Sequence, residues 1–262
     1  MKLTEESNLA NRLRAAGVEN AAFESRIFLK HAGDDLETMI ERRLSGEPLN
    51  RVLGYAEFYG LDFELSPDTL DPRQDTELLV DLALERFTGN DRGLRVLDLG
   101  TGTGCIIISV LKTLSKATGV ATDLSAGALE IATKNARKHG ADDRITFVQS
   151  DWCQKVGGTF DLILSNPPYI DRGIIPNLAK NVRNYDPILA LDGGDDGMDA
   201  HKIILTETKK MLNPGGVILL EIGYDQAEKI ARLVENIGAT LTRIVPDYAG
   251  NPRVAEISHG DK

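Results

Sequence analysis

Between Glu5 and Ser45 the apolar residues recur at helical spacing, as Leu9, Leu13 and Ala16, then Phe23, Ile27 and Phe28, then Leu36, Met39, Ile40 and Leu44. Gly17, Gly33 and Gly46 fall where such helices would stop. The pattern predicts short helices whose apolar stripes pack on one another as a small bundle. From Leu53 to Pro72 the period changes, and Phe58, Leu61, Phe63 and Leu65 around Gly60 read as a hairpin-like connector. From about Thr76 onward, strand candidates at 95–99, 118–122, 145–148, 160–164 and 217–222 alternate with helical stretches, the signature of a doubly wound parallel sheet. Two further candidates, 240–245 and 254–258, are joined by a loop holding Gly250 and Pro252. It is too short for a crossover helix, so these strands should pair antiparallel at an edge. The expected organisation is a helical domain at 1–52, a linker at 53–72 and an α/β domain at 73–262.

Composition narrows the partners. A chain of 262 residues with 42% hydrophobic content can bury a sizeable core. Its 30 basic and 40 acidic residues give a net charge of -10, so the surface repels phosphate backbones and a direct nucleic-acid substrate is not expected. Cys105 and Cys153 form no CxxC or Cys/His cluster, which leaves neither a disulfide framework nor a metal site to build from spacing. No apolar run approaches the ~18 residues of a membrane span, and the charged start of the chain has no apolar signal region after it. A cytoplasmic protein with no membrane association is expected.

Candidate chemistry gathers at the carboxyl ends of the strand candidates. Val96-Leu97-Asp98-Leu99-Gly100-Thr101-Gly102-Thr103-Gly104 ends an apolar strand in a glycine turn that lets a ligand approach the backbone. It has neither the GxGxxG spacing nor the GK[ST] of a P-loop, and alone it is a weak signal. Asp123 closes the next strand about 20 residues on, where a carboxylate can accept both ribose hydroxyls of an adenosine. Trp152 follows the third strand at the same rim, where its ring can border adenine. The most specific element is Asn166-Pro167-Pro168-Tyr169, delivered by the apolar run 160–165. The prolines stiffen the turn and bias the residues before them to extended backbone. The Asn166 side-chain carbonyl and the Pro167 main-chain carbonyl can each accept one hydrogen of an NH2 group, while the Tyr169 ring covers a planar substrate. Such a clamp would aim a planar nitrogen at an electrophilic methyl.

With these residues in place, the sequence resembles the class I S-adenosylmethionine-dependent methyltransferases, and within them the peptide chain release factor glutamine methyltransferases (the HemK-like family). The resemblance also rests on Gly54-Tyr55-Ala56-Glu57-Phe58-Tyr59-Gly60, Pro72-Arg73-Gln74-Asp75-Thr76-Glu77, Asp151-Trp152, Leu191-Asp192-Gly193-Gly194-Asp195-Asp196-Gly197, Leu220-Glu221-Ile222-Gly223 and Asp247-Tyr248-Ala249-Gly250-Asn251. The chain departs from the family at Asp71, usually apolar, and at Gln74, usually proline. The resemblance implies a Rossmann-like sheet with an antiparallel last strand and a small N-terminal helical domain that docks the protein substrate. It implies that Gly100, Thr101, Gly102, Thr103, Gly104, Asp123, Trp152 and Asn166 bind S-adenosylmethionine. It further implies that Asn166, Pro167, Pro168 and Tyr169 hold the glutamine of a Gly-Gly-Gln loop in a release factor, a translation-termination protein. The same clamp also suits a flipped adenine or guanine, and a non-catalytic module holding a translation factor is a reading from another class.

Overall fold

The computed structural model describes residues 2–31, 35–89 and 92–259, so Gly33 lies outside the described residues. Four helices open the chain: α1 (Lys2–Ala15), α2 (Ala21–His31), α3 (Leu36–Leu44) and α4 (Leu49–Leu53). Leu9, Leu13, Val18, Ala21, Phe28, Ile40 and Val52 form their common core, and the Arg43–Glu24 ion pair (2.6 Å) closes it from the side. The helical stripe in α2 is displaced from the sequence expectation. Phe23 is 56% exposed and Ile27 only half-buried, whereas Ala21, Ser25 and Phe28 face inward. Small residues at 21 and 25 let α2 approach its neighbours, which turns Phe23 to the outside.

Gly54, at φ +80°, ends α4. Then β1 (Tyr55–Phe58) and β2 (Leu61–Glu64) form an antiparallel hairpin in which Phe58 pairs with Leu61. Its two central residues, Tyr59 (φ 51°) and Gly60 (φ 70°), both take positive φ, the backbone that matches strand twist in a two-residue loop. Phe58 and Phe63 carry the hairpin into the core of the sheet.

The remaining elements are α5 (Glu77–Phe87), β3 (Arg95–Leu99), α6 (Cys105–Thr113), β4 (Thr118–Asp123), α7 (Ala126–Lys138), β5 (Ile145–Gln149), β6 (Phe160–Ser165), α8 (Lys180–Tyr185), α9 (Asp199–Thr208), β7 (Leu212–Glu221), α10 (Ala227–Asn236), β8 (Thr240–Pro246) and β9 (Pro252–Ser258). The sheet has seven strands in the order β5-β4-β3-β6-β7-β9-β8. Every residue of β6 is buried, as a parallel strand covered on both faces requires. As expected, β8 and β9 pair antiparallel at one edge of the sheet. β9 inserts antiparallel between β7 and β8, leaving β8 outermost. The burial patterns account for the insertion, because the consecutive run 254–257 of β9 is buried whereas no residue of β8 is.

The departure at Asp71 has a partner: both of its carboxylate oxygens receive the Asn50 side-chain amide at 3.1 Å. Beside it Arg51 of α4 pairs with Asp186 (2.7 Å), both side chains being almost fully buried. Gln74 is exposed and begins the 3-10 turn, Gln74–Thr76, that leads into α5.

Candidate active site

The strand order reverses between β4 and β6 on either side of β3, and ligands of open α/β sheets bind at such a point. Here the carboxyl ends of β3, β4 and β6 open into a cavity of about 330 Å³. Gly100, Thr101, Gly102, Thr103, Asp123, Trp152, Asn166 and Pro168 all line it, so residues scattered over the sequence are brought together. Gly104, Pro167 and Tyr169 are not among its lining residues but adjoin Thr103, Asn166 and Pro168, which are.

One wall is backbone. Gly100 and Gly102 take φ of 71° and 55°, conformations that L side chains rarely adopt. A Cβ at Gly100 would come within 3.6 Å of the Trp152 ring. At Gly104 the constraint is different, because a Cβ there would sit 2.9 Å from Ile108 Cδ1 and 3.3 Å from Ala132 Cβ, so this glycine lets α6 approach α7. The Gly102 N–H donates to Asp123 Oδ2 and the Ser125 N–H to Oδ1, each at 2.9 Å. Burial raises the Asp123 carboxyl above its ordinary range while these N–H groups pull it down. Asp98, wholly buried, accepts the Thr101 hydroxyl at 2.6 Å and keeps Oδ1 without a partner; burial pushes it up to about 7. Trp152 holds a positive φ of 47°, a strained conformation for an aromatic residue.

The opposite wall is built from side chains. Asn166 Nδ2 donates to Thr76 Oγ1 at 3.0 Å, which fixes the amide and leaves Oδ1 as an acceptor at the cavity wall. The Tyr169 hydroxyl donates to Glu221 Oε1 (3.1 Å). Desolvation and the Glu221 charge drive the Tyr169 phenol well above its usual value. The Tyr169 main chain is gripped as well. Gln226 Nε2 donates to its carbonyl and to that of Gly197, each at 3.0 Å, while Gln226 Oε1 accepts the Gly223 N–H. A Cβ at Gly193 would lie 2.8 Å from the Tyr169 main chain, and one at Gly197 would lie 2.5 Å from its carbonyl oxygen. Thr76, Glu221, Gln226, Gly193 and Gly197, which support Asn166 and Tyr169, are positions that spacing alone did not single out. Thr76, Glu221, Gly193 and Gly197 fall in the segments Asp75-Thr76-Glu77, Leu220-Glu221-Ile222-Gly223 and Gly193-Gly194-Asp195-Asp196-Gly197, there only as marks of resemblance, and Gln226 lies in none of them.

The residues present fit an adenosyl sulfonium cofactor. The glycine cradle, the half-buried Trp152 indole and the Asp123 carboxylate, with lone pairs to spare, all line the cavity and supply what a sugar and a base require. Among the described residues no group of acidic, histidine or cysteine side chains is arranged to hold a metal. No helix among them is long and apolar enough to cross a membrane.

Comparison with known proteins places this geometry. Residues 66–183 match the family model described as "Methyltransferase small domain". A "Release factor glutamine methyltransferase" of Agrobacterium fabrum is 46% identical over 84% of this chain and 77% of its own. A protein of the same name from Bradyrhizobium diazoefficiens is 42% identical over 94% of this chain and 90% of its own. The crystal structure of a methyltransferase from Pyrococcus furiosus superposes with a TM-score of 0.55 at 22% identity, covering 85% of this chain and 98% of that one, a likeness of fold.

Proposed function

The chain belongs to the release factor glutamine methyltransferase family, and from that premise we propose that it methylates the side-chain amide nitrogen of the glutamine in the Gly-Gly-Gln loop of bacterial peptide chain release factors, in the cytoplasm. It is an S-adenosylmethionine-dependent methyltransferase by family and fold. The observation that carries the substrate reading is the orientation of Asn166: its Nδ2 donates to Thr76 Oγ1, which leaves its carbonyl oxygen to accept from a ligand. A primary amide offers two N–H donors, one for Asn166 Oδ1 and one for the Pro167 carbonyl.

Gly100, Gly102, Asp123 and Trp152 would hold S-adenosylmethionine, which when bound supplies the electrophilic sulfonium methyl. The protein's part is placement. An amide nitrogen is a poor nucleophile, and fixing it in line can contribute roughly 7–11 kcal/mol. The two acceptors bind more strongly as the nitrogen becomes positive, so they favour the transition state over the ground state. No side-chain base is required. His201 is buried against the Glu221 main-chain carbonyl, with burial lowering its pKa to about 4, and no histidine lines the cavity. The N-protonated amide is acidic enough to lose its proton to water.

The helices α1 to α4 are proposed to dock the release factor, with the exposed Phe23 and Leu29 offering apolar contact. A chain truncated to begin near Leu70 should bind cofactor yet methylate intact release factor poorly. The test is the destination of a labelled methyl group when release factor, DNA and RNA compete. Label confined to release factor supports the reading, and label on nucleic acid rejects it.

A further inference from the structure

Glu221 ends β7 beside β6, where Leu220 pairs with Ser165 and the next residue of β6's strand is Asn166. Its side chain is 1% exposed. Oε1 accepts the Tyr169 hydroxyl, while Oε2 has no hydrogen-bond partner. A buried carboxyl so thinly satisfied costs stability and calls for a reason. The oxygen of Thr76 already accepts Asn166 Nδ2, and the same hydroxyl is near enough to the Glu221 carboxyl to hold its pKa down against burial. Charged and titratable groups face this carboxyl from every side. Arg253 of β9 is paired with Asp75 (3.3 Å) and Asp247 (3.0 Å), and its charge also acts on Glu221. Tyr169 approaches from the turn after β6, and the neutral His201 of α9 bonds the Glu221 main chain.

We propose that Glu221 is a positioning residue for the amide clamp, which it steadies through the Tyr169 hydroxyl while polarising the Asn166 acceptor through Thr76. The inference rests on the amide-methylation reading above. An anion at Glu221 draws the Thr76 proton, makes the Thr76 oxygen a stronger acceptor for Asn166 Nδ2, and so enriches Asn166 Oδ1, as linked hydrogen bonds reinforce one another. That enrichment matters most when the substrate nitrogen becomes positive. Burial pushes the Glu221 carboxyl from its ordinary range up to about 7. The folded protein therefore binds a proton that the unfolded chain has already lost, and stability falls as pH rises through this window. The form that favours turnover is the one that costs stability.

The experiment compares wild type with Glu221→Gln across pH 6 to 8, in the full chain with release factor and S-adenosylmethionine. The wild-type kcat should rise with a midpoint near 7. Glu221→Gln should lose that rise, turn over about tenfold more slowly at pH 8, the size of one charge-assisted hydrogen bond, keep its KM for cofactor, and melt no lower than wild type at pH 8. An unaltered pH profile, or a lower melting temperature with wild-type kcat, overturns the proposal. A readout without substrate covers failure of that variant to fold and failure of the release-factor reading. The infrared titration of the buried carboxyl in wild type should move to higher pH in Thr76→Val, which removes a donor to the anion; an unmoved midpoint overturns the proposal even if no glutamine is methylated.

Discussion

The two walls of the cavity are made rigid by different means. The wall proposed to hold the cofactor is prepared by omission: glycines with positive φ clear space, and Asp123 locks the loop through main-chain N–H groups. The wall proposed as the amide clamp is prepared by insertion, with Thr76, Glu221 and Gln226 set behind Asn166 and Tyr169 and the Gly193 to Gly197 segment pressed against the Tyr169 main chain. A wall that admits a large, common ligand needs room and a few fixed acceptors. A wall that must aim one nitrogen needs side chains whose own rotamers are fixed, since misplacement of about 1 Å can cost 100-fold in rate.

Variants that break one wall should therefore spare the other. Asn166→Ala should show the largest effect, slowing turnover about 100- to 1,000-fold, the scale for loss of one preorganised transition-state contact, with a smaller loss of cofactor affinity by isothermal titration, since Asn166 lines the same cavity as Gly100 and Asp123. Asp123→Ala should do the reverse. Losing charge-assisted acceptors should weaken cofactor binding by about 1.5–3 kcal/mol, measured by the same titration, with kcat recovered at saturating cofactor. Gly193→Ala sharpens the contrast, because its new Cβ would lie 2.8 Å from the Tyr169 main chain. A loss of about 1–3 kcal/mol in denaturant stability is expected from overpacking, together with a lower kcat at unchanged cofactor affinity. The smallest effect should come from thiol reagents. Burial pushes Cys105 and Cys153 up to about 12, so the native protein should resist alkylation at neutral pH and keep its activity, while the unfolded chain reacts at both.

The same contrast explains what the sequence made legible. The glycine loop, Asp123 and the Asn166 to Tyr169 turn are local patterns, each within or at the end of one apolar strand, and the alternation of strands and helices announced the sheet that carries them. The supports of the clamp are not local. Thr76 meets Asn166 across 90 residues, and Glu221 meets Tyr169 across 52. Only the fold decides that the end of β7 and the turn before α5 converge there. The insertion of β9 between β7 and β8 escaped notice for a related reason, since spacing shows that two strands pair and not which one joins the sheet. Phe23 shows the limit of periodicity in a short helix: its spacing suits burial, but the small residues Ala21 and Ser25 define the packed face.

The most direct test of a clamp built for a primary amide is the position of the transferred methyl. Release factor should be incubated with the full-length protein and S-adenosylmethionine, digested, and analysed by fragmentation mass spectrometry. One added methyl on the side-chain amide nitrogen of the Gly-Gly-Gln glutamine, with none on a Gln→Ala release factor, is the result the account predicts. A methyl on another residue, or on a main-chain or oxygen atom of that glutamine, would contradict it.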